Sequence, residues 1–484
     1  MKQKRNNYRL IFFYLAAGIL ALVVRLYHLN SPVADWHSWR QSDTAAVARN
    51  FEMQRIDFLR PRYDDLSNIQ SGHDNPNGWR MVEMPVYQAA GVLLHRVNPG
   101  MSLEANLRLV SILSVSGSVV LIGLLLYSLV GPEASVFGAL LYAVLPYSIY
   151  YGRTILPDAF GTFWVLLSLA LVVSETESYW FLRIVLSAAC AGISLLVRPM
   201  EVFVLLPLLL FVVRLNKMNK TIVSFIVYGV IVFLPIYLWR NWILQFPEGI
   251  PVSDWLYNKG NIRFKGAWFY WLFSNRLGDL ILGNWGLIPF AAGIVRKIPR
   301  RAGIFSFLWF AGMILYFIIF AGGNVQHDYY QALIIPVLVW FMAIGLDALY
   351  HAEFGGVLIS RAIAIVSIIF LWMFSWYTIR TYFWINRPEI IQAGIDADKR
   401  LPPGAKVIAP YNGDTTFLYQ TRRPGWPLGF DIDQKITMGA QYYVTVSPHD
   451  SDTETRDLAK KYTVLVRNDT YAIIDLTRLN QPGK

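Results

Sequence analysis

Apolar residues dominate the chain up to about residue 377, in long runs that alternate with short polar or basic segments. A helix crosses the hydrocarbon core of a bilayer with roughly 20 consecutive apolar residues, and about eleven of these runs approach that length. The pattern therefore predicts a polytopic α-helical membrane protein. The predicted spans are residues 10–29, 107–130, 134–150, 158–174, 180–197, 200–214, 221–239, 279–295, 302–321, 329–348 and 357–377.

The pattern changes after about residue 378, where Pro, Asp, Lys and Gly become frequent. A helix-like stretch at 388–399 is followed by short stretches that are typical of strands. We expect a transmembrane domain over 1–377, with a large first outer loop at 30–106, and a small soluble α/β domain over 378–484. The predicted strands are 405–409, 442–446, 462–466 and 471–474.

The composition agrees with a membrane protein and argues against a water-soluble domain and a nucleic-acid-binding protein. Hydrophobic residues make up 55% of the 484 residues and charged residues 15%, and water-soluble domains seldom reach such values. The net charge of +11 would suggest nucleic acid in a soluble chain, but the basic residues cluster in short loops between apolar runs, as membrane topology predicts. We therefore expect no nucleic-acid partner. The single cysteine, Cys190, excludes an intramolecular disulfide and a cysteine metal cluster.

Basic residues also predict the orientation. The segment Met1–Arg9 is basic and no cleavage site follows, so we expect a retained first span with a cytoplasmic N-terminus. The same side receives Arg214, Lys217 and Lys220, and later the basic segment 296–301. Every unusual polar cluster then lies on the outer face. The outer segments are 30–106, 150–158, the turn at Arg198, 240–278, 322–329 and the tail after 378, whereas the inner loops 131–133 and 174–178 are short.

The first outer loop holds the densest polar cluster. His37, Arg40 and Asp43 lie with two indoles beside a membrane surface, where charged groups rarely occur without a function. We expect a short helix to begin at Asp43, because Ser42 or Asp43 can cap it and Val47 begins its apolar face. The helix dipole would favour the ionised carboxylate, so Asp43 is predicted to accept a proton or bind a cation. A plain helix cap is the alternative.

Further charged residues stand in the outer segments. Arg153 and Asp158 lie at the mouth of a span, where Asp158 either caps the helix or has a chemical role. Arg198, before a proline, adds another outer cation. Glu83 lies among apolar and aromatic residues, and the sequence leaves open whether it lines the cavity or faces solvent.

A late outer segment offers hydrogen-bond donors. His327, Tyr329 and Tyr330 follow a Gly-Gly pair and directly precede a span. Tyrosines at an interface also form aromatic belts, so the tyrosines alone carry little information. Together with the histidine they form a donor set for a phosphate at the membrane surface.

These groups suit sugar transfer from a lipid phosphate. The leaving group of such a donor is already an anion, so the enzyme needs cations around the phosphate and a base for the acceptor, but no strong general acid. One carboxylate base and a cationic phosphate site are what the outer segments offer.

The order of these motifs resembles a known class. An Asp in the first outer loop, an Arg-x4-Asp segment in the second and a His-x-Tyr-Tyr start to a late span are similar to the GT-C integral-membrane glycosyltransferases, specifically the protein O-mannosyltransferase and aminoarabinose transferase superfamily. The resemblance implies that Asp43 is the catalytic aspartate of the first loop. It also implies that Asp158 and Arg153 lie near the phosphate or a metal. His327 and Tyr329 would contact the carrier phosphate.

The resemblance is less specific about the substrate. Glu83 and Pro85 match the Glu-x-Pro segment of the superfamily, but Val86 replaces the second proline of the aminoarabinose enzymes, which argues against transfer to lipid A. Thr44 follows Asp43 where protein mannosyltransferases carry Glu, which argues against protein mannosylation. The sugar and the acceptor are therefore left open.

The sequence thus predicts an inverting glycosyltransferase of a bacterial inner membrane, moving a sugar from a polyprenyl-phosphate donor to a glycan, lipid or protein acceptor on the outer face. The predicted catalytic residues are Asp43, as the base, and Asp158. The predicted phosphate ligands are Arg153, Arg198, His327, Tyr329 and Tyr330, and the predicted cavity residues are His37, Arg40 and Glu83. The cofactor is open, with a divalent metal ion as one alternative.

Two other classes are alternatives. A transporter or flippase would need charged or broken helices near mid-membrane, and Arg25 and His28, near the outer end of the first span, are the nearest such residues. A non-catalytic assembly protein would hold a lipid-linked glycan without turning it over. Substitution of Asp43 would leave that function largely intact, whereas a transferase would lose turnover.

Overall fold

The computed structural model describes residues 2–173, 178–213, 218–352 and 356–480, and it describes side chains from residue 8 onward. Arg214, Lys217 and residues 174–177 of a predicted inner loop lie outside the described residues. The side chains of the N-terminal basic residues 2–7 do so too.

Helices make up most of the described chain. The first eleven are α1 Lys2–Arg25, α2 Ser38–Met53, α3 Val86–Val97, α4 Leu103–Leu129, α5 Pro132–Val144, α6 Pro146–Tyr151, α7 Asp158–Val173, α8 Trp180–Val197, α9 Leu208–Val212, α10 Met218–Tyr228 and α11 Leu234–Ile243. The others are α12 Gly266–Phe269, α13 Leu287–Val295, α14 Arg300–Ile319, α15 Ala321–Gln326, α16 Ile335–Tyr350, α17 Val357–Ile379, α18 Pro388–Arg400, α19 Thr415–Gln420, α20 Ile432–Thr437 and α21 Thr453–Lys461. Short 3-10 or π-helical segments occur at Pro199–Phe203, Gly229–Phe233, Pro247–Gly249, Asp254–Leu256, Lys259–Phe264, Tyr270–Ile281, Tyr330–Ile334 and Arg380–Phe383.

Seven helical segments among the described residues are long and apolar enough to cross a membrane, and two shorter apolar helices accompany them. The predicted number of eleven spans stays a prediction, because three predicted spans are interrupted. Pro146 separates α5 from α6, and Pro207 immediately precedes α9, since proline lacks the N–H that a helix interior needs. Gly283 and Asn284, with φ of 51° and 57°, lie in the turn before α13. The interrupted spans are 134–150, 200–214 and 279–295.

Arg25 compensates for the break at Pro146. The carbonyl of Tyr142 would pair with the N–H of residue 146 in a continuous helix, and proline has none. The fully buried Arg25 guanidinium donates to the carbonyl oxygens of Tyr142 at 3.2 Å, Ala143 at 2.9 Å and Ser148 at 3.1 Å. This charge in the first span therefore has a structural role, because buried backbone carbonyls need partners.

The chain divides into two compact units. The helical unit comprises Met1–Leu29, Arg108–Asn241 and Ser253–Tyr382, and the loop-and-sheet unit comprises Asn30–Leu107, Trp242–Val252 and Phe383–Lys484. The first loop therefore packs with the C-terminal segment as one unit. The predicted domain boundary between residues 377 and 378 stays a prediction.

The loop-and-sheet unit contains a five-stranded sheet. Its order is β2-β1-β3-β5-β4, with β1 parallel to β2 and β3, and with β5 antiparallel to β3 and β4. Each of the four predicted strands has a counterpart, and the sequence pattern missed only β2, which has two residues. The strands are β1 Val407–Ile408, β2 Gly425–Trp426, β3 Tyr442–Thr445, β4 Tyr462–Arg467 and β5 Ala472–Leu479.

The sheet has a core on each face. Val407 and Ile473 belong to a cluster with α18 and α19, while their neighbours Ile408 and Ile474 point to the other face. Leu66 from the first loop joins that second cluster. Its N–H also donates to the carbonyl oxygen of Gly425 at 2.8 Å, so the first loop is paired with the edge of the sheet.

Candidate functional site

Helix α2 carries Asp43, but the carboxylate is not at the helix entrance. The helix begins at Ser38, after His37, whose φ of 54° places it in the left-handed region. The expectation that the helix begins at Asp43, with Ser42 or Asp43 as its cap, is therefore wrong. An αL residue at the helix start is a tertiary feature that apolar spacing does not reveal.

Three donors hold the Asp43 carboxylate, which is 1% exposed. Arg80 forms an ion pair with Oδ2 at 2.9 Å, and the amide of Gln70 donates to the same oxygen at 3.2 Å. The hydroxyl of Thr415 donates to Oδ1 at 2.7 Å. Each oxygen of a carboxylate accepts about two hydrogen bonds, so Oδ1 has capacity for one more.

Several acids surround this group. Burial raises the pKa of Asp65 to about 6, against hydrogen bonds from Ser67, and the charge of Asp43 adds to the shift. Burial also raises the pKa of Asp64, although an ion pair with Arg49 opposes the shift. Among the described residues, Oδ2 of Asp65 has no hydrogen-bond partner. Asp43 thus lies in a region rich in carboxylates, in which Arg80 pairs with Asp43 and Arg49 pairs with Asp64.

Arg40 and Glu83 form a second buried pair in the same unit. Their Nη2 and Oε2 atoms lie 2.7 Å apart, and Gln88 donates to Oε1 of Glu83 at 3.1 Å. Burial opposes ionisation of Glu83, but the charges of Arg40 and Arg80 outweigh it and lower its pKa. Glu83 is 7% exposed, so the structure rules out the solvent-facing alternative. The ring of His37 lies 5.2 Å from that of Trp36.

In the helical unit, Asp158 begins α7 and forms an ion pair with Arg198. Its Oδ1 lies 2.5 Å from Nη2 of Arg198. The guanidinium of Arg198 also lies over the ring of Tyr330, 5.6 Å from its centroid. These three predicted residues are therefore brought together, and Arg198 is a partner of Asp158 that the Arg-x4-Asp spacing did not indicate.

The other predicted phosphate ligands lie in the helical unit too. Arg153 is fully buried, donates to the carbonyl oxygen of His28 at 3.2 Å and lies over the ring of Tyr150. The rings of His327 and Tyr329 stack, with centroids 5.4 Å apart. Tyr329 takes part in this stack, and Tyr330 contacts Arg198. Both tyrosines belong to the predicted donor set.

Sequence reasoning missed Asp328 and Glu201, which are both buried in this unit. Asp328 is 1% exposed and accepts hydrogen bonds from the hydroxyls of Tyr151, at 2.6 Å, and Tyr382. It lies between the predicted phosphate ligands His327 and Tyr329, so its position is a usable signal. Glu201, three residues after Arg198, accepts from Thr162 at 2.7 Å. An acid inside an apolar run is the signal that could have identified it.

The grouping of these side chains bears on whether the chain could bind a metal ion. Among the described residues, no three His, Cys, Asp or Glu side chains form a group that could hold a metal ion. A divalent metal ion stays the open alternative that the sequence leaves.

Comparisons with known proteins identify the fold. Residues 92–239 match the family model of the dolichyl-phosphate-mannose-protein mannosyltransferases. The crystal structure of ArnT from Cupriavidus metallidurans, bound to undecaprenyl phosphate, aligns over 95% of this chain and 97% of its own, with a TM-score of 0.66 and 14% identity. The chain has the GT-C fold. This confirms the predicted class, a polytopic α-helical membrane protein with a small C-terminal α/β region, and the resemblance to the superfamily.

Other structures share the GT-C fold. The oligosaccharyltransferase AglB from Archaeoglobus fulgidus, in complex with an inhibitory peptide and a dolichol-phosphate, aligns with a TM-score of 0.55 at 11% identity, over 90% of this chain and 69% of that one. The arabinofuranosyltransferase AftD from Mycobacteria aligns with a TM-score of 0.57 at 13% identity, over 97% of this chain and 42% of that one. No curated protein sequence matches this chain significantly.

Proposed function

We propose that this chain is a membrane glycosyltransferase that moves a sugar from a polyprenyl-phosphate donor to an acceptor on the outer face of a bacterial inner membrane. The observation that carries the proposal is the buried Asp43 carboxylate, held by Arg80, Gln70 and Thr415 within a chain of GT-C fold. ArnT is described as bound to undecaprenyl phosphate and AglB as bound to a dolichol-phosphate, which supports this donor class.

Asp43 is the base in this proposal. As the acceptor hydroxyl or amine attacks the anomeric carbon, its proton passes to Oδ1, the oxygen with remaining hydrogen-bond capacity. The bond between the anomeric carbon and the phosphate oxygen breaks, and polyprenyl phosphate leaves with the bonding electrons. A single displacement of this kind inverts the anomeric configuration. The leaving group is an anion and needs no general acid.

Arg153, Arg198 and the His327–Tyr330 segment are proposed to hold the donor phosphate. Arginine suits this role because its planar donors match phosphate oxygens. The ion pair with Asp158 fixes one edge of the Arg198 guanidinium, so Asp158 is proposed to orient this cation. In the loop-and-sheet unit, Arg40 and Glu83 are proposed to shape the sugar cavity beside Asp43. Glycans, lipids and proteins remain the candidate acceptors.

Arg25, one of the two residues named for the transporter alternative, has a structural explanation. Its guanidinium binds backbone carbonyls around the break at Pro146. These hydrogen bonds explain why the charge is buried, so Arg25 requires no transported ligand.

The test is transfer of radiolabelled sugar by the purified full chain in detergent. A panel of undecaprenyl-phosphate and dolichyl-phosphate hexoses and pentoses serves as donors, and envelope lipid and glycan fractions serve as acceptors. We expect labelled product with the wild type and none with Asp43→Asn. If no donor is turned over or bound by folded protein, the proposal is wrong and lipid transport becomes the function to test.

A further inference from the structure

The short helix α19 of the C-terminal segment points its polar side chains at the first loop. The hydroxyl of Thr415, which is 5% exposed, lies 2.7 Å from Oδ1 of Asp43 and 3.2 Å from the carbonyl oxygen of Trp39. A hydroxyl has one hydrogen, and a charged acceptor at the shorter distance forms the stronger bond. Thr415 therefore donates to the Asp43 carboxylate.

Thr415 is itself held in place. The side chain of Asp414 caps α19 by accepting from the N–H of Thr416 at 2.7 Å. At the other end of the helix, the guanidinium of Arg49 lies over the ring of Tyr419, 4.4 Å from its centroid, and donates to its carbonyl oxygen at 3.1 Å. The Tyr419 hydroxyl donates to Glu104 at 2.7 Å. The C-terminal end of α19 is thus fixed to the loop that carries Asp43, and the Asp414 cap stabilises the start of the helix that presents Thr415.

The orientation of a carboxylate needs such a partner. The terminal torsion of an aspartate side chain is broad and roughly two-fold, so backbone position alone does not fix where its oxygens point. Arg80 and Gln70 both bind Oδ2, and Thr415 is the donor on Oδ1. With Oδ1 held by one hydrogen bond, its remaining acceptor position has a defined direction.

We propose that Thr415 is a positioning residue for sugar transfer, which orients Oδ1 of Asp43 so that it can receive the acceptor proton. The proposal rests on the proposed function, in which Asp43 is the base. It makes the C-terminal segment a part of the catalytic machinery, because a residue 372 positions away from Asp43 supplies a donor to the base.

The experiment compares Thr415→Val, Thr415→Ser and the control Thr421→Val in the transfer assay. Valine keeps the shape of threonine and removes the hydroxyl, and serine restores the hydroxyl. Thr421 is a buried threonine of the same segment whose hydroxyl donates to the carbonyl oxygen of Leu418. We expect Thr415→Val to lower kcat about tenfold or more with little change in KM for the donor, because small misplacements of a base are costly. Thr415→Ser and Thr421→Val should stay within about twofold of the wild type.

A double-mutant cycle separates this proposal from the proposed function. Thermal unfolding of Asp43→Ala, Thr415→Val and the double variant should give a loss of Tm in the double variant smaller than the sum of the two single losses. Additive losses would overturn the contact, and normal kcat in Thr415→Val would overturn its positioning role. If the wild type transfers no sugar while the cycle shows coupling, the proposed function has failed, and the catalytic role of Thr415 falls with it while the contact stands.

Discussion

Two buried aspartate–arginine pairs of this chain have opposite surroundings. In the loop-and-sheet unit, Arg80 lies 2.9 Å from Asp43, and in the helical unit, Arg198 lies 2.5 Å from Asp158. The carboxylate is the centre of the first group, because three donors converge on it. The cation is the centre of the second, because Arg198 contacts both Asp158 and the ring of Tyr330.

The same pair of residue types suits two kinds of chemistry when its surroundings differ. A carboxylate with neutral donors and neighbouring acids keeps acceptor capacity and suits a base. A guanidinium that is ion-paired with one carboxylate and lies over an aromatic face retains further N–H donors and suits an anion. The first group is therefore proposed for proton transfer and the second for the donor phosphate, and each variant below tests one side of this division.

The largest effect is expected from Asp43→Asn. Loss of a general base lowers kcat by roughly 10² to 10⁴-fold, and the amide cannot take up the acceptor proton. Binding of undecaprenyl phosphate should stay near the wild-type affinity, because the proposed phosphate ligands are unchanged. Single-turnover transfer and equilibrium binding measure the two quantities separately.

The matched control for this substitution is Asp433→Asn, an acid of the same unit whose side chain is 87% exposed. It should have normal kcat and binding. Full turnover by Asp43→Asn would remove Asp43 from the mechanism and with it the contrast between the two pairs.

The second largest effect is expected from Arg198→Gln, which should lower both stability and phosphate binding. Removing one partner of a buried ion pair costs about 3–5 kcal/mol in the free energy of unfolding, since the remaining charge is left without its counterion. The variant should also bind undecaprenyl phosphate more weakly. The double variant Asp158→Asn/Arg198→Gln should recover much of the stability without recovering the binding. Denaturation in detergent and ligand binding are the measurements.

Lys259→Gln is the control for Arg198→Gln, because it removes a surface ion pair with Asp254 in the same unit. An exposed pair of this kind contributes little. Recovery of phosphate binding in the double variant would mean that Arg198 serves only to neutralise Asp158.

The sequence predicts the second group better than the first. Asp158, Arg198 and Tyr330 all stand at the ends of apolar runs, so hydropathy and a short list of polar residues were enough to indicate them. The partners of Asp43 are different: Thr415 is 372 positions away, in a segment read as a separate domain. Hydrophobic periodicity carries no information about which distant loop supplies a hydroxyl. The same limit explains why the αL residue His37, which sets the start of α2, was missed.

A third effect is expected from Asp65→Asn, in the acid-rich surroundings of Asp43. The folded-state pKa of Asp65 is about 6, raised by burial, against about 3.9 in an unfolded chain. The unfolded state thus releases this proton first, and the folded state loses stability as pH rises from about 4 to about 6. Asn cannot ionise, so the variant should gain up to about 3 kcal/mol over the wild type between pH 4 and pH 7.5.

The measurement is the difference in Tm between variant and wild type across that range. In the Asp43→Asn background, the pH range over which the wild-type Asp65 lowers stability should move to lower pH, because the Asp43 charge contributes to the raised pKa of Asp65. A difference in Tm that is constant from pH 4 to pH 7.5 would contradict the raised pKa of Asp65.

The smallest effect is expected from Glu83→Gln, and its pH dependence has the opposite sign. The charges of Arg40 and Arg80 lower the folded-state pKa of Glu83 despite its burial. Its contribution is therefore complete above the unfolded pKa of about 4.3 and is lost as pH falls through the folded value. We expect Glu83→Gln to lose only about 1.5–3 kcal/mol at pH 7, the range for a hydrogen bond to a charged group, because Gln keeps an acceptor oxygen for Arg40, and to converge with the wild type in acid. The control Glu52→Gln breaks a partly exposed pair with Arg96 at 3.3 Å and should change Tm little. Equal losses in the two variants would show that burial of the Arg40–Glu83 pair adds nothing to its strength.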